Sequence, residues 1–131
     1  MNTMGGKRDE WEFEYTASRL AEAAAAQKTF RLSRLAWWTE AKAKVMAEIK
    51  ETGLEVSESL AVSALNYTTQ TNGPQIVVRA DLQAKLKECH GKIGTHQQAA
   101  AEYDGWVQML SANPEARLKL KCADWLYFFG K

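Results

Sequence analysis

The chain has 131 residues, 46% hydrophobic and 25% charged, with a formal net charge of +1 at pH 7. That length supports one core without metal or disulfide staples, and the composition excludes a low-complexity or disordered chain. Near-neutral charge excludes a uniformly basic or acidic binding surface, and no apolar run reaches the ~18 to 20 residues that a membrane span requires. The expectation is one cytoplasmic domain over residues 1–131 with no membrane attachment.

Residues 1–8 hold Gly5-Gly6 and no periodic pattern, so they read as a flexible tail. From residue 9 to residue 52 there is no Gly or Pro, which predicts one long helix of about 44 residues, roughly 65 Å at 1.5 Å per residue. Asp9, Glu10, Glu12 and Glu14 would then sit at the positive end of its dipole. An apolar stripe runs through Phe13, Ala17, Leu20 and Ala24, then Leu35, Trp38, Val45 and Ile49. Ala21 and Ala23 to Ala26 are small enough to let another backbone approach closely. Phe30, Trp37 and Trp38 widen the apolar face beyond what one partner helix covers, which predicts a further packing partner and self-association.

Residues 54–80 change character. Leu65, Tyr67 and Thr69 alternate, Gln70-Thr71-Asn72-Gly73-Pro74 reads as a turn, and Ile76-Val77-Val78 is a short apolar run. This predicts a β-hairpin, near 63–70 and 75–79, at the tip between two long helices. The second helix, 81–111, is capped by Asp81. Its Leu82, Leu86, Cys89, Ile93, His96, Ala100, Tyr103, Val107 and Leu110 recur at alternating steps of four and three, a heptad seam that lies along a partner helix. Gly91, Gly94 and Gly105 interrupt it at a cost of about 1 kcal/mol each relative to Ala. Asn113-Pro114 then opens a last helix, 114–129, with Leu118, Cys122, Trp125 and Phe129 on one face.

The predicted fold is therefore mainly α: a long antiparallel, coiled-coil-like helical hairpin with a small β-hairpin at its tip and a short C-terminal helix. Over residues 9–111 the order helix, β-hairpin, helix is similar in topology to prefoldin, a likeness carried by no residue motif. It implies subunits joined through their hairpins. The C-terminal helix and the Trp-rich first helix depart from that pattern.

Chemistry is scarcely encoded. Cys89 and Cys122 are too few for a disulfide scaffold and lie at apolar helix positions. Cys89 and His96 share a face but are separated by about 10.5 Å along a helix axis, too far to bind one zinc together. There is no C-x-x-C pair, H-x-x-x-H pair or phosphate loop, and Glu10 with Glu14 or Glu102 with Asp104 read as solvated faces. The expectation is a protein that is not an enzyme and uses no metal or cofactor: a non-catalytic assembly or adaptor protein that binds a protein partner or itself. Its candidate contact residues are Phe30, Trp37 and Trp38 on the first helix and Trp125, Tyr127, Phe128 and Phe129 on the last. The alternative is a nucleic-acid-binding accessory protein, since Lys28, Arg31, Arg34 and Lys42 run beside Trp37 and Trp38 and could grip a backbone while a ring stacks a base.

Overall fold

A computed structural model describes residues 11–51 and 80–130. In chain order they form β1 (Glu12–Thr16), α1 (Ala17–Glu51), α2 (Ala80–Ser111), β2 (Arg117–Lys121) and α3 (Cys122–Phe129). The protein is mainly helical, its two long helices pack on each other, and the described strands form one two-stranded antiparallel sheet. The chain groups into two compact units, Met1–Leu32 with Gln98–Lys131, and Ser33–Gln97.

Three expectations change. The first helix begins at Ala17 rather than residue 9, because Glu12-Phe-Glu-Tyr-Thr16 alternates polar and apolar with period two and finds a strand of the same period. That partner is Arg117-Leu-Lys-Leu-Lys121, so the last helix is not 114–129. It starts at Cys122, after a strand. The sheet accordingly joins the segment before α1 to the segment after α2, at the start of the chain and not at a tip. The hairpin expected near 63–70 and 75–79 lies outside the described residues.

In the unit formed by Met1–Leu32 and Gln98–Lys131, the strands pair Glu12 with Lys121, Phe13 with Leu120, Glu14 with Lys119, Tyr15 with Leu118 and Thr16 with Arg117. Paired side chains share a face. One face is therefore a ladder of charges, with Arg117 Nε and Nη2 both donating to Glu14 Oε2 at 3.1 and 3.0 Å. The other face is apolar. Thr16 then ends the strand and caps α1, its Oγ1 accepting from the Arg19 amide at 3.2 Å. Ala17, Leu20, Ala23 and Ala24 of α1 share a core with Tyr103 and Leu110 of α2, Leu120 of β2 and Phe128 of α3. Small alanines on α1 leave room there for the large rings.

Two polar contacts fasten α3 in the same unit. Gln27 Nε2 donates to the carbonyls of Phe128 and Gly130, satisfying acceptors that a helix C-terminus leaves open. The Gly130 amide donates to Leu126 O at 2.7 Å, and a Cβ added at Gly130 would collide with that same carbonyl oxygen.

In the Ser33–Gln97 unit, Val45 and Ile49 of α1 form a core with Leu82, Leu86 and Cys89 of α2, and Trp38, Ala41 and Met46 pack against it. This is the heptad seam in its simplest form, aliphatic side chains from two helices. Gly91 and Gly94 lie on exposed positions, and a Cβ at either would meet nothing within 4 Å. Neither glycine is required by packing, and α2 runs as helix through both.

Candidate interaction surface

The C-terminal aromatics sit largely within their own unit. Phe128 is only 5% exposed. Trp125 is half-buried, 5.8 Å from the ring of Phe13, with its indole Nε1 donating to Tyr15 Oη at 2.9 Å. Phe129 lies against Tyr15 at 4.9 Å, and Tyr127 stacks on Tyr103 at 4.6 Å. Burial raises the Tyr103 hydroxyl pKa, and that hydroxyl donates to Tyr127 O at 2.7 Å. Desolvation likewise raises the Tyr127 phenol. Its Oη makes no hydrogen bond of good geometry, though the neighbouring Trp106 indole partly offsets the rise.

What this unit leaves exposed is a different set. Phe30 is 54% and Met109 57% exposed, and Leu32, Trp106, Leu118 and Leu126 are also open to solvent. Phe30 rims an open groove of about 520 Å3 that runs between α1 and the end of α3, beside Phe129 and Gly130. A second groove, about 580 Å3, is bounded by β2, by Trp106 and Leu110 of α2, and by Ala123 of α3. Trp106 and Met109 stand beside the heptad seam rather than on it. Their apolar character off the a/d positions was the signal for an outward face, and the alternation at 117–121 was the signal for a strand.

In the Ser33–Gln97 unit, Trp37 is 54% exposed, meets Trp38 edge-on at 4.8 Å, and carries the Arg34 guanidinium over its ring at 5.1 Å. Trp38 is half-buried, and its Nε1 is buried without a hydrogen-bond partner. Cys89 is buried, and desolvation followed by the Glu88 charge raises its thiol pKa, so the reactive thiolate is disfavoured.

The four candidate nucleic-acid-binding residues of α1, Lys28, Arg31, Arg34 and Lys42, divide between the units. Lys28 Nζ is held by Asp104 Oδ1 at 2.8 Å, and Arg31 is half-buried. In the other unit, Arg34 covers a tryptophan face, and Lys42 is half-buried, with its charge acting on Cys89. Among the described residues no three His, Cys, Asp or Glu side chains gather to hold a metal, and no helix is long and apolar enough to cross a membrane. The arrangement can bury apolar surface and pair main-chain edges. No protein-family model, curated protein or solved structure matches the chain.

Proposed function

We propose that this protein is a non-catalytic assembly or adaptor protein that works by binding other protein chains, its own included. The observation that carries the reading is the set of large apolar side chains left open in one unit, Phe30, Leu32, Trp106, Met109, Leu118 and Leu126. Scattered single hydrophobics are ordinary, but several bordering two grooves on a unit with a well-filled core fit a contact surface. Solution mass at micromolar concentration tests it. A dimer or larger species is expected, reduced toward monomer by Phe30→Ser or Met109→Ser without loss of helix content. A strict monomer at high concentration would remove self-association from the proposal.

The second reading, a nucleic-acid accessory role, is favoured by one observation, Arg34 stacked on exposed Trp37. It is weakened by the engagement of Lys28 with Asp104. Salt-sensitive binding of single-stranded DNA or RNA, lowered by Arg34→Ala, would promote it over the first.

A further inference from the structure

Among the described residues the sheet has two strands, so each presents an outer edge that no described strand pairs. The orientation of β2's backbone follows from one hydrogen bond: the Ala17 amide donates to Ala116 O at 2.7 Å, one position beyond the register of the strands. Antiparallel pairs alternate between those that exchange hydrogen bonds and those that do not. Ala17 with Ala116 belongs to the first kind, so Tyr15 with Leu118 and Phe13 with Leu120 do too. The amides of Arg117, Lys119 and Lys121 and the carbonyls of Arg117 and Lys119 therefore point away from β1, toward the outer edge, while Lys121 is also the N-cap residue of α3.

The groove of about 580 Å3 lies against that edge. It is lined by Leu118, Lys119 and Leu120, three consecutive strand residues. Leu118 and Leu120 belong to the apolar face and Lys119 lies between them, so the groove runs beside β2 and reaches the strand at Lys119. Across from them α2 presents Trp106 and Leu110, with Glu102 one turn before Trp106.

We propose that the outer edge of β2 is a strand-addition site for an extended segment of a partner protein that alternates acidic and apolar residues. The proposal rests on the reading above that this protein works by binding other chains. Main-chain pairing would supply affinity and side-chain alternation specificity. Lys119 and Lys121 stand exposed on the charged face with no ion-pair partner among the described residues, whereas Arg117 is already committed to Glu14. A strand added here sets its side chains beside those of β2, so acids belong opposite the lysines and apolar residues beside Leu118 and Leu120. Glu102 and Asp124 also border the groove, which disfavours a uniformly acidic segment and leaves alternation as the fit. The same pattern disfavours two copies pairing β2 with β2, since lysines and arginine would oppose each other.

The test uses the full chain and two synthetic capped peptides, Glu-Val-Glu-Val-Glu-Val and Lys-Val-Lys-Val-Lys-Val, with binding read by amide chemical shifts. The acidic peptide is expected to bind saturably at least tenfold more tightly than the basic one. The largest shifts should fall at Arg117, Lys119 and Lys121, and methylation of alternate peptide amides should abolish binding. Lys119→Gln should weaken the acidic peptide severalfold, and Lys119→Glu should reverse the preference. Both substitutions replace one exposed residue, and retained helix content would exclude unfolding as the cause. Equal affinity for the two peptides, no saturation at millimolar concentration, or shifts centred elsewhere would overturn the site. If the peptides fail while Phe30→Ser still dissociates an oligomer, the strand-addition site falls and the assembly role stands. If the peptides bind a strict monomer, the edge site stands and self-association falls.

Discussion

Both units contain paired stretches of the same two helices, yet they close their cores differently. In the Ser33–Gln97 unit the work is done by aliphatic side chains on a heptad seam, Val45 and Ile49 against Leu82, Leu86 and Cys89. In the unit of Met1–Leu32 and Gln98–Lys131, α1 presents alanines, and rings from α2 and α3 with Leu120 of β2 fill what the alanines leave. A helix face of small residues is only half a core. It requires bulk from elsewhere, and here that bulk comes from segments far along the chain (for Gln27 and Phe128 the separation is 101).

The sharpest way to break the comparison is to remove bulk from each core. Phe128→Ala should cost about 3 to 5 kcal/mol and Leu86→Ala about 2 to 5 kcal/mol in urea unfolding, because both side chains are buried and leave cavities. If Phe128→Ala costs under about 1 kcal/mol, the aromatic layer is not a core. Next in size is the polar fastening of α3. Gln27→Ala should cost about 1 to 2 kcal/mol, by stripping a donor from two carbonyls at the helix end.

Glycine substitutions sharpen the contrast further. Gly91→Ala and Gly94→Ala should each stabilise by about 0.5 to 1 kcal/mol, since both sit in helix with open space around them. Gly130→Ala should destabilise, because its Cβ would meet the Leu126 carbonyl oxygen. A Gly91→Ala protein no more stable than wild type would mean that the helix is interrupted there.

The smallest expected effect is a pH dependence. The hydrogen bond from Lys28, helped by its charge, holds the Asp104 carboxyl below its ordinary value of 3.8. The unfolded chain therefore takes up this proton first as pH falls. The stabilisation is present above about pH 4 and is lost as pH drops through the lowered folded value. Wild type should exceed Asp104→Asn by a constant margin from pH 7 to pH 5, and the margin should shrink below 3.8. A margin unchanged at pH 2.5 would show that the ion pair contributes nothing.

The helical half of this architecture was legible because a seam has one period. Leu82, Leu86, Cys89, His96, Ala100, Tyr103 and Leu110 are buried as their spacing requires, while Ile93 and Val107 of the same seam are half-buried. The strands were not, for a physical reason. Glu12 to Thr16 contains no Gly or Pro and runs directly into Ala17, so nothing local stops a helix there. What decides against helix is Arg117 to Lys121, a matching alternation far along the chain that no single window contains. Glu12 and Glu14 fit a helix N-terminus equally well, yet the structure sets them opposite Lys121 and Lys119. For the candidate surface, Phe30 and Trp37 were recognisable as apolar residues in excess of a seam. Trp125, Tyr127, Phe128 and Phe129 were ambiguous, since a helix of rings is the same sequence whether it covers its own chain or another.

Residues 12–16 and 117–121 form one sheet, and strand addition at β2 requires that no other strand of the chain pairs with its outer edge. Amide hydrogen exchange, resolved residue by residue at neutral pH on the full chain, tests it most directly. Phe13, Tyr15, Leu118 and Leu120 should exchange slowly, while Arg117, Lys119 and Lys121 on the outer edge exchange near the unprotected rate. Uniform protection along 117–121, as a helix would give, or uniformly fast exchange there, would contradict the account.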